Sequence, residues 1–99
     1  MVELEKDIER KLRRMVEKRR GLCLKWVCPG WSGVPDRIVL LPGGRIYFVE
    51  LKRPNGSRVA KLQEKWKDWL TELGFWVLHI YNEGDLATFE LAIQEDMKH

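Results

Sequence analysis

The sequence predicts an α/β fold, a mixed β-sheet flanked by helices, with elements in the order α-β-β-β-α-β-α. Three observations indicate this fold. Apolar residues recur at helical spacing in three segments, β-forming residues fill four short runs, and Gly- or Pro-containing turns separate them. Ninety-nine residues are enough for one domain, which we place at residues 1–99.

The first half predicts one helix and two strands. Apolar positions at helical spacing favour a helix over the first 20 residues, with Gly21 as its stop. Residues 22–27 then alternate as a strand does, and residues 36–41 are rich in β-formers. The apolar positions of the helix are Leu4, Ile8, Leu12, Met15 and Val16.

The second half predicts a strand-helix-strand unit and a closing helix. Residues 45–51 form the strand, and an amphipathic helix ends at Gly74. Residues 75–81 are almost continuously apolar, as buried central strands are. Strands joined by such a crossover run parallel. The apolar helix positions are Val59, Leu62, Trp66, Trp69, Leu70 and Leu73, then Leu86, Phe89, Ile93 and Met97 in the last helix.

The composition is that of an ordinary water-soluble domain, with 44% hydrophobic and 33% charged residues. No apolar run approaches the ~20 residues of a membrane span, and the N-terminus lacks the apolar core of a signal peptide. We therefore expect no membrane partner and a cytoplasmic location, in a bacterial or phage-like setting or with nucleic acid. Cys23 and Cys28 differ in strand parity, which favours buried free thiols.

Basic residues cluster although the net charge is only +3. Such clusters fit a nucleic-acid surface, and a solvated helix face is an equally good explanation of the charges alone. Trp31, in a Gly-Ser loop, is a candidate for stacking on an unpaired base, for a subunit contact, or for a simple loop anchor. The other four tryptophans are expected in the core. The candidate nucleic-acid contacts are Arg10, Arg13, Arg14, Lys25, Trp31, Arg53, Arg58, Lys61 and Lys65.

Asp36 and Glu50 are the most informative residues, because they stand at matching ends of two strands. If residues 42–44 form a three-residue loop, the ladder places Asp36 opposite Glu50. Cross-strand neighbours lie roughly 4.5–5.5 Å apart between Cβ atoms, so both carboxylates would reach one cation. A two-residue loop would instead pair Asp36 with Leu51 and turn the carboxylates to opposite faces.

Two carboxylates side by side repel each other, and a divalent cation removes that cost. Oxygen ligands suit Mg²⁺ or Mn²⁺, with water and phosphate oxygens completing the shell. Lys52 projects from the same face as Glu50 and can bind phosphate, orient the attacking water or stabilise developing charge. The alternative is a charged pair at a fraying strand end. His79, in an apolar strand, is expected to be structural.

These residues resemble the VRR-NUC domain of the PD-(D/E)xK nuclease superfamily. The likeness rests on residues 33–37 (GVPDR), residues 50–52 (ELK) and Gln63, supported by Lys25-Trp26 before Pro29-Gly30 and by Gly74. It spans about residues 5–85. The resemblance implies a restriction-endonuclease-like fold and metal-dependent hydrolysis of DNA phosphodiesters.

The resemblance also implies roles for individual residues. Asp36, Glu50 and the backbone carbonyl of Leu51 would bind the metal, and Lys52 would serve the water nucleophile. A glutamate of the first helix would assist, with Glu9 the first choice and Glu5 the second; surface solvation is the alternative for each. Gln63 lies at the rim of its helix, from where it would reach the metal-bound water or the DNA.

The predicted function is a Mg²⁺- or Mn²⁺-dependent endonuclease cutting branched DNA, four-way (Holliday) junctions foremost. A homodimer is expected because one chain offers one site and resolving a junction needs two cuts. Two alternatives remain open. One is a flap- or nick-directed nuclease partnered with a helicase, and the other is a basic nucleic-acid-binding module without catalysis.

Overall fold

The computed structural model of the protein describes residues 5–51 and 58–98. Its elements follow the predicted order, α-β-β-β-α-β-α. They are α1 (Glu5–Glu17), β1 (Leu22–Lys25), β2 (Arg37–Leu41), β3 (Arg45–Glu50), α2 (Arg58–Glu72), β4 (Trp76–His79) and α3 (Glu83–Asp96). Among the described residues, no helix has the length and apolar composition needed to cross a bilayer.

The four strands form one mixed sheet in the order β1-β2-β3-β4. The two pairings among the first three strands are antiparallel, whereas β3 and β4 run parallel. The predicted strand-helix-strand crossover is therefore confirmed. β4 is an edge strand, so its prediction as a buried central strand is wrong. Its apolar run reflects contacts with helices, and Trp76 remains 54% exposed.

The core lies on one face of the sheet, where α1 and α3 pack. Leu12, Val16, Val39, Phe89 and Ile93 have no measurable exposure. These α1 and α3 residues have the spacing that the sequence predicted for buried helix faces. This layer holds β2 and β3 in place, and the positions of the site residues described below depend on those two strands.

The first helix ends at Glu17, earlier than the predicted residue 20, because the residue with positive φ that follows it is Arg20 and not Gly21. Arg20 takes the positive φ, 64°, and the amide of Gly21 donates to the carbonyl of Val16 at 3.0 Å. A Cβ on Gly21 would collide with the carbonyl oxygen of Leu40 and with two core side chains. Gly21 is therefore required by close packing and not by its own φ.

The opposite face of the sheet is only partly covered, by α2. Trp69 is 39% exposed, so the expectation that it lies in the core is wrong, as it is for Trp76. Leu73, on the same helix, is 72% exposed. Leu22 and Leu24 of β1 are also exposed, at 55% and 44%. The reason is that α2 packs toward β4 and leaves the apolar surface of β1 and β2 open.

Both cysteines are free thiols, as predicted, but they are half-buried and not buried. β1 ends at Lys25, so Cys28 lies in the following loop. Burial raises the pKa of the Cys23 thiol to about 11.

Candidate active site at the open end of β2 and β3

The β2–β3 hairpin has the register that brings the two carboxylates to one face. Leu41 pairs with Arg45 across the three-residue loop, and Arg37 pairs with Val49 at the far end. One further step along the ladder sets Asp36 opposite Glu50. The two-residue loop, which would have separated the carboxylates, is excluded by this pairing. Gly43 and Gly44 supply the positive φ values, 87° and 74°, that the loop needs.

Glu50 is an acid buried at the end of β3, only 3% exposed. Its Oε2 accepts a 3.0 Å hydrogen bond from Nε2 of Gln63 on α2. Its backbone carbonyl accepts from the amide of Ile80 at 2.9 Å, continuing the parallel ladder with β4. A buried carboxylate is costly unless hydrogen bonds or a cation compensate it. Gln63 supplies part of that compensation.

Asp36 is fixed from both sides. Its two carboxylate oxygens accept from the Leu51 amide at 3.3 and 3.2 Å. Its carbonyl accepts from the Trp26 amide and from the Arg37 guanidinium, each at 2.9 Å. The Asp36 carboxylate thus binds the backbone amide that follows Glu50, so the ends of β2 and β3 are held together at the two acids.

Arg37 connects Asp36 to the first helix. Its Nη1 lies 3.7 Å from Oδ1 of Asp36, and its Nε lies 4.0 Å from Oε1 of Glu9. Arg13 approaches the same Glu9 oxygen at 3.9 Å. Glu9 therefore lies on the α1 side of the sheet and reaches Asp36 through Arg37. No role was predicted for Arg37 from the sequence, although its position beside Asp36 was the available signal.

The donor set fits a hard divalent cation. Two carboxylates and a backbone carbonyl offer oxygen ligands, and Mg²⁺ ordinarily uses one or two protein carboxylates and keeps several waters. Within residues 5–51 and 58–98, no three His, Cys, Asp or Glu side chains come together as a ligand group. A protein-only cage of the zinc type is thus not formed by these residues.

Several predicted residues lie outside the described ones. These are Lys52 and Arg53, together with the side chains of Glu5 and Arg58. Their predicted roles stay predictions.

The described basic candidates fall in different places. Arg10 pairs with Asp7 at 2.8 Å, and Arg13 lies near Glu9 and the site. Arg14 instead lines a depression between α1 and α3, with Lys11 and Lys18 on one wall. Lys25 is exposed at the end of β1, and Lys61 is exposed on α2.

His79 lies on β4 in parallel register with Glu50. Its Nδ1 is 2.7 Å from the Tyr81 hydroxyl. Burial lowers the pKa of His79 from 6.5; Lys67 lowers it further, and Glu64 opposes this. The structural role expected from sequence stays a prediction, and the adjacency to Glu50 was not foreseen because it depends on the β3–β4 register.

Comparisons with known proteins agree with the fold. No family model matches the chain. "Putative nuclease p44" of Acyrthosiphon pisum secondary endosymbiont phage 1 is 39% identical over 89 residues, which are 90% of this chain and 94% of that protein. A solved structure described as a VRR_NUC domain superposes with a TM-score of 0.74 and 26% identity, covering 87% of this chain and 94% of that one.

Proposed function

Because this chain belongs to the VRR_NUC family of nucleases, we propose that it is a metal-dependent endonuclease that cuts branched DNA, four-way junctions foremost, as a homodimer. The observation that carries the proposal is the placement of Asp36 and Glu50 on one face at adjoining strand ends. The Asp36 carboxylate accepts from the Leu51 amide, directly after Glu50, and Glu50 is buried.

The chain's own residues would prepare the site in four ways. Asp36, Glu50 and the Leu51 carbonyl are the oxygens that would hold Mg²⁺ or Mn²⁺, which when bound would polarise the phosphodiester and acidify a water. Gln63 fixes the rotamer of Glu50 by its hydrogen bond. Arg37 offsets negative charge at Asp36, and Lys52 is the proposed partner of the attacking water.

The proposed DNA contacts are sequence-independent. Arg13, Lys25 and Lys61 are exposed, and such side chains bind phosphates and fix register without reading bases. Specificity would then come from the shape of the branch point. Binding should weaken steeply with added salt.

The homodimer is proposed to form on the open face of β1 and β2. Leu22 pairs with Leu40, which pairs with Ile46, so an apolar row crosses three strands. Leu22 is 55% and Ile46 is 38% exposed, and Leu24 extends the patch. Contiguous exposed apolar surface marks an interaction site. A second copy of this chain bound to the patch would also bring the second active site that resolving a junction needs.

One cleavage assay tests the function. Labelled duplex, flap, fork and four-way junction are incubated with wild type, Asp36→Asn or Lys52→Ala in Mg²⁺, Mn²⁺ or EDTA. We expect paired symmetric cuts in the junction, lost in EDTA and in both variants, while the DNA affinity of the variants stays within a few-fold. Flap-only products would favour the helicase-partnered nuclease. Junction binding without any cutting in Mn²⁺ would favour the binding module.

The dimer has its own test by light scattering coupled to size exclusion. Leu24→Glu should give a monomer, whereas Leu91→Glu, at a residue 66% exposed on α3, should not. A wild-type monomer at the concentrations used for cleavage would contradict the proposal.

A further inference from the structure

An apolar cleft beside the site is lined by exposed aromatic rings. Trp31, Trp66 and Trp69 form it with Leu70, Leu73 and Glu72, and its volume is about 330 Å³. Trp31 is 57% and Trp69 is 39% exposed. Two large indole rings left this accessible in a small protein mark a binding surface more than a core.

The rings leave flat surface for a further planar group. Trp66 meets Trp31 at 5.6 Å and 82°, and meets Trp69 at 5.3 Å and 85° between ring centroids and planes. All these contacts are edge-to-face. Because no two of the three rings stack in parallel, a planar ligand can stack on an indole face without breaking a contact between them.

The cleft is held in shape by contacts between the loop before β2 and α2. The Trp66 indole N–H donates to the Ser32 carbonyl at 3.0 Å. Gly33, with φ 86°, lies so close to α2 that a Cβ would come within 2.6 Å of the Leu62 Cβ. Trp31 is thereby placed by a short anchored segment, which lowers the entropy lost on binding.

Positive charge borders the cleft. The Lys65 ammonium lies 4.9 Å from the centroid of the Trp69 ring. Lys61 is exposed one turn earlier on the same helix flank. An aromatic platform edged by lysines is the combination that binds single-stranded nucleic acid, with bases on the rings and phosphates on the cations.

The cleft and Glu50 both contact α2. Gln63, Trp66 and Leu70 lie on one strip of the helix, and Gln63 bonds Glu50. Three residues of helix advance about 4.5 Å, so Trp66 follows the residue that bonds Glu50 by less than one turn of α2. We propose that this cleft binds one unpaired nucleobase of the DNA at the branch point, next to the bond to be cut. The inference rests on the proposed DNA-binding function.

The test compares a bulged base with an abasic site at the same branch position. Fluorescence anisotropy of labelled DNA is measured with the Asp36→Asn protein, and in parallel with wild type in EDTA, so that nothing is cut. Stacking of one base implies about 5- to 150-fold tighter binding of the bulged DNA. Adding Trp31→Ala should abolish this preference, whereas Trp31→Phe should retain most of it.

Trp76→Ala is the matched control, because Trp76 is also exposed, at 54%, but lies on β4 against Tyr47. It should keep the preference. Equal binding of bulged and abasic DNA by the unsubstituted protein would overturn the inference, and so would loss of the dimer in Trp31→Ala. A separate outcome would contradict only the nuclease proposal: the wild-type protein would show the base preference but cut no DNA in Mn²⁺.

Discussion

The Gln63 amide and the Glu50 carboxylate form a 3.0 Å hydrogen bond between α2 and the end of β3. Groups that orient a metal-binding carboxylate typically change metal affinity or activity 10- to 100-fold when removed. We therefore expect Gln63→Leu to lower the single-turnover cleavage rate by about that factor and to shift the Mn²⁺ dependence upward. Gln94→Leu, an exposed glutamine of α3, should behave as wild type. Unchanged metal dependence in Gln63→Leu would argue against an orienting role.

Divalent cations should stabilise the folded protein through Asp36 and Glu50. A ligand present at about 100 times its Kd adds about 2.7 kcal/mol to the free energy of unfolding. Thermal unfolding should therefore shift upward when Mn²⁺ or Mg²⁺ is added to wild type. Asp36→Asn should lose the shift, while Asp68→Asn, at an exposed residue of α2, should keep it. The same shift in Asp36→Asn would place the cation elsewhere.

Arg37 should contribute more to stability than Arg13, although both approach Glu9. Arg37 is 15% exposed and donates to the Asp36 carbonyl, whereas Arg13 is 48% exposed. Urea denaturation should show a loss of about 1–2 kcal/mol for Arg37→Met. The loss for Arg13→Met should stay under about 0.5 kcal/mol. Equal losses would mean that the Arg37 contacts are no stronger than surface pairs.

His79 should make the protein less stable toward mildly acidic pH. Its pKa is lowered in the folded state by burial and by Lys67, so the unfolded chain takes up the proton first as the pH falls past 6.5. The free energy of unfolding then decreases until the pH passes the lowered pKa, and is level below it.

The check is urea denaturation of wild type and His79→Gln between pH 7.5 and 5.5. The decline over this window should be smaller in the variant. A parallel decline in both proteins would assign the pH dependence to other groups.

The sequence was sufficient for the order of the elements and for the pairing of Asp36 with Glu50. Both depend on local information, namely hydrophobic periodicity and the loop of residues 42–44 that sets the hairpin register. Periodicity does not tell how far a helix covers a sheet, and this is why the exposure of Trp69 and Trp76 was not predicted. The proximity of Arg37 to Glu9 and of His79 to Glu50 was not predicted, because each pair joins segments that are distant in the chain.

The orientation of Glu50 depends on whether α2 stays packed against the sheet, and this links local opening of α2 to the proposed cleavage activity. Separate segments donate hydrogen bonds to Glu50: Gln63 on α2 donates to its side chain, and the Ile80 amide after β4 donates to its carbonyl. Opening of α2 alone would leave the α1–α3 core packed and the molecule folded by most measures. Such a partly open molecule would lack the Gln63 hydrogen bond that orients Glu50. Local openings of this kind need less free energy than global unfolding. For the proposed nuclease, the active fraction would therefore depend on the stability of α2, and a preparation folded in its core would still contain molecules without an oriented Glu50.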